Sequence, residues 1–244
     1  VPSAREEDRD GDGRFEVLVV FDDGVPSKRQ EDANGDGEID RWTIYAGGKV
    51  ASTEEDRDFD GRVDLRAEFD ARGEKRLEQQ DTTGDGRFDV AIAFERGART
   101  RVEADEDGDG RVDLVTHYGA DGDIARREID TTRDGRLDTV ATFENGSERK
   151  RVLDANANGH AEITVWRLPN GDLEREEIDT RDEGRPDVVR FYEGGRLARE
   201  ERDRDRDGRA DFVAEHAADG TLARQRVDSS GDGAFDTVVE LAGG

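Results

Sequence analysis

Apolar positions recur along the chain in short runs such as "FEVLVVF" (15–21), "VDLVTHY" (112–118), "LDTVATF" (137–143) and "PDVVRFY" (186–192). Each is followed by a Gly-containing turn such as "DDG", "ENG" or "EGG", and then by a charged run such as "SKRQE", "RTRVE" or "LEREEI". Runs rich in Val, Ile, Thr and aromatics, bounded by Gly, Asp and Asn, predict β-strands, and the short turns predict that they pair as hairpins. The second strand carries charge on both faces, which predicts a strand that is solvated or paired through arginine–carboxylate contacts. An aromatic usually closes the first strand (Phe21, Tyr45, Phe69, Phe94, Tyr118, Phe143 and Tyr192, with Arg167, His216 and Leu241 as departures), predicting a cross-repeat core ladder.

Between hairpins lie acidic loops that begin at Asp8, Asp32, Asp56, Asp81, Asp105, Asp130, Asp154, Asp179, Asp203 and Asp228. The steps between them are 24 or 25 residues and alternate from Asp32 onward, so the deeper period is 49. Repetition of this regularity means a solenoid, a propeller or an array. The expected fold is all-β: ten tandem β-hairpin repeats linked by calcium loops in an elongated, solenoid-like array, treated as a single array over 1–244. The alternative is a five-bladed β-propeller with blades of about 49 residues. Residues 1–8, "VPSAREED", match 25–32, "VPSKRQED", whereas "FDTVVELAGG" (235–244) supplies only a first strand and a turn. These complementary half-hairpins suggest a processed or excised segment, closure into a ring, or head-to-tail pairing between copies.

Composition sharpens the question of what holds such a chain together. Of the 244 residues 42% are charged and 32% apolar, and the formal net charge is −26. So little apolar surface leaves disorder as a serious alternative unless something beyond a core assists folding. There is no Cys and hence no disulfide, and no apolar run long enough for a transmembrane helix. The acidity argues against a nucleic-acid partner. Arg outnumbers Lys 34 to 4, which suits bidentate carboxylate bridging, although a GC-rich genome would give the same bias.

The loops supply the missing element. All fit D-x-x-x-[DNE]-G-x-x-[DE], and three or four carboxylates in one turn repel unless a hard cation joins them. The start resembles a calcium loop, in which alternate side chains converge, Gly permits the bend and the carbonyl at position seven adds an oxygen. Expected ligands in the first half of the chain are Asp8, Asp10, Asp12, Arg14 (by its carbonyl) and Glu16; Asp32, Asn34, Asp36 and Asp40; Asp56, Asp58, Asp60 and Asp64; Asp81, Asp85 and Asp89; and Asp105, Asp107, Asp109 and Asp113. In the second half they are Asp130, Asp134 and Asp138; Asp154, Asn156, Asn158 and Glu162; Asp203, Asp205, Asp207 and Asp211; and Asp228, Asp232 and Asp236. The loops at Asp8, Asp32, Asp56, Asp105 and Asp203 are expected to bind most strongly, "DANANG" (154–159) less so for its lower charge. Position three is Thr83, Thr132, Arg181 or Ser230 in the others, and Arg181 is a candidate to neutralise its own loop. About six calcium sites, and up to ten, are therefore expected.

Position twelve holds Val19, Thr43, Ala67, Ile92 and Thr116 in the first five loops rather than the Glu of an EF-hand. "DEDGDGRVDLV" (105–115) instead resembles the calcium loop of FG-GAP and VCBS propeller repeats, and also thrombospondin type 3 repeats without their cysteines. That resemblance implies calcium at the loop carboxylates and a secreted or cell-surface setting, although those propellers carry about one loop per blade and this chain would carry two. "YEGGRLARE" (192–200) is similar to Rhs/YD hairpin repeats.

Catalysis has little support: His117, His160 and His216 occupy different positions of the repeat, and no Cys nucleophile or phosphate-cradling loop is present. Trp42 and Trp166 read as strand packing. The expected function is an extracellular, calcium-binding structural protein, assembling with copies of itself into a filament, stalk or adhesin. The alternative is a propeller that binds a cell-surface protein or glycan.

Overall fold

The computed structural model describes residues 3–241; Val1, Pro2 and 242–244, which belong to the half-hairpins expected at the ends, lie outside the described residues. The chain divides into two compact units, Val1–Gly122 and Asp123–Gly244.

In the first unit the strands are β1 (Ala4–Glu7), β2 (Val17–Asp22), β3 (Val25–Glu31), β4 (Arg41–Ala46), β5 (Lys49–Glu55), β6 (Leu65–Phe69), β7 (Lys75–Gln80), β8 (Val90–Glu95), β9 (Ala98–Ala104) and β10 (Leu114–Tyr118). In the second they are β11 (Ile124–Ile129), β12 (Thr139–Glu144), β13 (Ser147–Leu153), β14 (Ile163–Arg167), β15 (Leu173–Ile178), β16 (Val188–Glu193), β17 (Arg196–Arg202), β18 (Phe212–His216), β19 (Leu222–Val227) and β20 (Thr237–Glu240). The fold is all-β, as the alternation predicts. Within each unit every strand is antiparallel to its neighbours in sequence, so each unit is an open meander. A propeller would interrupt this ladder after every fourth strand; no such interruption occurs within either unit, so the five-bladed alternative is not formed.

Two kinds of turn explain the alternating repeat length. Asp23-Gly24, Arg96-Gly97 and Asn145-Gly146 all have positive φ at both residues, the geometry of a tight hairpin turn whose twist matches that of the strands. Other hairpins turn over five residues, as at Asp70–Glu74, Leu168–Asp172 and Ala217–Thr221, closed by the amides of Asp70, Leu168 and Ala217. Hairpins with the longer turn have strands of five and six residues instead of six and seven, leaving a net gain of one. This is the origin of 24 against 25.

A bulge recurs at one place in each of the eight hairpins that lie within a unit. Val20 pairs with Lys28 and Phe21 with Pro26, leaving Ser27 unmatched, and the Ser27 hydroxyl donates to the Val20 carbonyl at 3.2 Å. Thr100 does the same to Ala93 at 3.3 Å. The extra residue strengthens the local twist beside the strand-closing aromatic. That aromatic is half-buried in all seven hairpins that have one, so it does not form a closed core ladder. In three of them a cation from the preceding strand covers the ring: Arg99 lies 4.1 Å from the Tyr118 ring centre, Arg127 5.6 Å from Phe143 and Lys75 5.7 Å from Phe94.

The core is thin. Among the described residues the buried apolar side chains are Val17, Leu65, Ala67, Val115, Ala141, Val213 and Ala214, all on the first strand of a hairpin just after its acidic loop. The charged second strands are tied to the first strand between them, as at Arg190 of β16, whose guanidinium reaches Glu200 of β17 at 2.8 Å and Glu176 of β15 at 3.0 Å. These contacts, led by the bond to Glu200, hold Arg190 above its ordinary pKa; burial pushes Glu200 up, but Arg190 and Arg202 outweigh it and lower it.

With so few buried side chains, each carries a large share of cohesion. Val115→Ala, at 2% exposure, is expected to cost about 2 kcal/mol, while Val25→Ala, at 44%, costs less than about 0.5 kcal/mol. Denaturant unfolding of the two variants checks this.

Candidate metal centres in the acidic loops

The meander places the loops on one edge of each unit and the hairpin turns on the other. Backbone bonds stack neighbouring loops: the amide that opens a loop donates to the carbonyl of the ninth residue of the loop before, as from Asp56 to Asp40 at 2.7 Å and from Asp203 to Asp187 at 2.9 Å.

Within a loop the carboxylates are held by backbone amides. In the Asp105 loop, Asp105 accepts from Gly108 at 2.7 Å and Gly110 at 2.8 Å, Asp107 from Asp109 at 3.1 Å, and Asp109 from Arg111 at 2.8 Å. Asp113 closes the loop by accepting from Glu106 at 2.6 Å and Asp107 at 3.1 Å. The sixth position, always Gly, has positive φ in every loop. So does the fourth, a constraint the sequence pattern left open: it is Gly in five loops but Phe59, Arg133, Ala157, Asp182 and Arg206 in the rest. Gly at half of these positions was the available signal.

Four loops bring carboxylate oxygens within 4.8 Å of one another: Asp8, Asp10, Asp12 and Glu16; Asp56, Asp58 and Asp64; Asp105, Asp107 and Asp113; and Asp203, Asp205 and Asp211. These four sets could hold a metal ion, and oxygens bound to one calcium at 2.3–2.6 Å would lie within about 5 Å of each other. Positions one, three and nine converge; Asp60, Asp109 and Asp207, at position five, stay outside these groups and accept amides from Arg62, Arg111 and Arg209 at 2.8, 2.8 and 2.7 Å. Arg14 donates its amide to Asp12 at 2.7 Å.

The Asp32 loop is built differently from the four. Asp32 accepts from Gly35 at 2.7 Å and Gly37 at 2.8 Å, and Asp40 from Ala33 at 2.5 Å. Asn34 at position three turns its amide to Asp36 at 2.8 Å, so a neutral donor stands where the four loops have a third carboxylate. In the Asp154 loop Glu162 accepts from Ala155 at 2.8 Å, while the Asn156 and Asn158 amides reach Asp182 of the next loop at 2.6 and 2.7 Å.

A second class satisfies its carboxylates with hydroxyls at positions two and three, a pair that the metal-loop pattern does not specify. Thr82 donates to Asp89 at 2.8 Å and Thr83 to Asp81 at 3.2 Å; Thr131 donates to Asp138 at 2.5 Å and Thr132 to Asp130 at 3.3 Å. Ser229 and Ser230 serve Asp236 and Asp228 at 2.9 and 3.2 Å. Asp85, Asp134 and Asp232 accept the amides of Arg87, Arg136 and Ala234 at 2.8, 2.9 and 2.9 Å.

Electrostatics sets Asp58 of the Asp56 loop against the hydroxyl loops. Burial pushes Asp58 up, and its neighbours Asp60, Asp64 and Asp56 push it further, leaving it above its ordinary value despite an amide bond. In the hydroxyl loops burial also pushes up Asp81, Asp130 and Asp228, yet the amides of the sixth and fourth residues and a hydroxyl outweigh it and hold all three below. For Asp236 the Ser229 hydroxyl leads, and the shift is again downward.

No protein-family model and no curated protein matches the sequence. Among solved structures, accessory secretory proteins 1, 2 and 3 of Streptococcus pneumoniae superpose over 37% of this chain and 17% of theirs, at 21% identity and a TM-score of 0.29. A GtfA/B complex bound to UDP and GlcNAc matches over 44% and 20%, at 14% identity and 0.21. A TcdB2-TccC3-Cdc42 structure matches over 92% and 14%, at 13% identity and 0.22. The chain thus spans at most a fifth of the length of these structures, and none of the three scores reaches the level at which a shared fold is inferred.

The opposite shifts have opposite consequences for stability. A carboxylate held low, such as Asp81, stabilises fully above its unfolded value of 3.8 and loses that contribution as pH falls through its lower folded value. Asp58, held high, is destabilising when ionised and is relieved as pH falls through its raised folded value. A carbon-detected titration in chelator is expected to show Asp58 protonating above 3.8 and Asp81, Asp130 and Asp228 below it.

Proposed function

We propose that the protein is a calcium-stabilised structural repeat protein that works outside the cell as part of a filament, stalk or adhesin. The observation that carries this reading is the gathering of three or four carboxylate oxygens within 4.8 Å of one another in each of four of the repeated loops. All-oxygen donor sets suit hard cations rather than the softer metals that favour His and Cys, and the chain has no Cys. Four divalent ions would take the formal charge from −26 to −18. Sites of ordinary affinity fill at millimolar calcium, which points to an extracellular setting. No helix is long and apolar enough to cross a membrane.

The terminal strand edges support self-association as part of this reading. Among the described residues β1 pairs only with β2, and β20 only with β19; β20 also exposes Val238 and Val239. Unpaired strand edges recruit other strands, and a second copy of this chain offers the complementary one.

Calorimetric titration of the chelated chain should give about four calcium ions per chain, with melting temperature rising in millimolar calcium. The double variant Glu106→Thr/Asp107→Thr, which gives the Asp105 loop the hydroxyls of the Asp81 loop, should bind one ion fewer and melt no lower in chelator. Failure of wild type to take up calcium at millimolar concentration would end the metal reading. Rods or filaments that dissociate on chelation are expected by electron microscopy; lone monomers in calcium would end the assembly reading.

A further inference from the structure

The Asp179 loop, "DTRDEG" (179–184), has neither a third-position carboxylate nor a paired hydroxyl at that position. Thr180 still donates to Asp187 at 2.6 Å, but Arg181 points away and donates to the Arg204 carbonyl at 3.3 Å, so the arginine expected to neutralise the loop does not do so. The cation comes from the following loop. Arg206 extends its guanidinium to within 3.3 Å of Asp179 and 3.7 Å of Asp187 and donates to Glu183.

Three features set Arg206 apart from an ordinary surface arginine. Its side chain is 10% exposed, against 57% for Arg57 or 46% for Arg202 in comparable pairs, and it meets three carboxylates of a single neighbouring loop. It occupies the fourth loop position at a φ of 66°, where a side chain is strained and five loops use Gly. Its own amide is fixed by Asp203 at 2.6 Å, which aims the side chain at the neighbouring loop. On the other flank, Asp182 is already taken by the amides of Asn156 and Asn158 at 2.6 and 2.7 Å. That leaves Asp179, Glu183 and Asp187 as the carboxylates facing the guanidinium.

We propose that the Arg206 guanidinium is the built-in cation of the Asp179 loop: it stands between the first- and ninth-position carboxylates, so that this loop holds its shape without metal. Removing it leaves Asp179, Glu183 and Asp187 without their shared cation, a place that calcium takes by drawing the three carboxylates together. The second statement rests on the calcium reading above; the first does not.

Hydrogen exchange of the full chain, in chelator and in millimolar calcium, tests both. The amides of Gly184 and Arg185, held by Asp179 at 2.6 and 3.1 Å, should be protected in wild type under either condition. Arg206→Ala should speed their exchange in chelator by roughly tenfold to a hundredfold, and calcium should restore protection. Arg206→Lys, which keeps a point charge but not the planar fork, should fall between and supplies the comparison if the alanine variant does not fold. Unchanged rates in Arg206→Ala, or wild-type amides that need calcium for protection, would overturn the built-in cation; absence of calcium rescue would overturn the conversion. Gly108 and Gly110 of the Asp105 loop report the calcium reading in the same samples. Their indifference to calcium alongside an intact Arg206 effect would sink that reading and leave the guanidinium in place.

Discussion

Mutual repulsion of carboxylates on the loop-bearing edge is the constraint around which each meander is organised. Adjacent strand pairs bring loops together at every second strand, so negative charge accumulates at a spacing fixed by the backbone. The chain meets this with several chemistries on one backbone frame: converging carboxylates that call for a cation, hydroxyl pairs that donate to the first and ninth positions, carboxamides that bridge to a neighbouring loop, and a guanidinium inserted from the next loop. The frame is shared because amides at the fourth and sixth positions hold the first carboxylate in most loops, whatever stands between.

The distribution of these solutions is uneven. Three of the four converging sets lie in the unit Val1–Gly122 and one in the unit Asp123–Gly244. The second unit instead concentrates hydroxyl, amide and guanidinium substitutes, together with four of the five non-glycine residues at the strained fourth position. The capacity to hold a metal is thus a property of individual loops rather than of the repeat as such.

The strands were legible because alternation, turn residues and loop spacing agree at every repeat. The hairpin bulge was not, since it arises from strand twist rather than from any residue type: Ser27, Arg76 and Thr100 all occupy it. Aromatic periodicity suggested a closed ladder, yet a single meander layer leaves those rings half-covered and lets cations finish the burial. At the loops, four of the five sets expected to bind most strongly do converge. The fifth, at Asp32, differs through the one amide of Asn34, which donates as well as accepts. The arginine that fills the Asp179 loop was invisible because it comes from the following loop, about twenty residues or more from its partners, and Arg181 within the loop was the nearer candidate.

The alternation of two-residue and five-residue turns also bears on how such a chain can change over generations. The first two hairpins share the short turn, and from the second onward the lengths alternate; loss or gain of one hairpin within that stretch would set further turns of the same length side by side and disturb the sequence of loop chemistries on the opposite edge. Loss or gain of 49 residues leaves both alternations intact. The heritable module is therefore the pair of hairpins, and growth or shrinkage of the gene by unequal recombination should be tolerated in that double step.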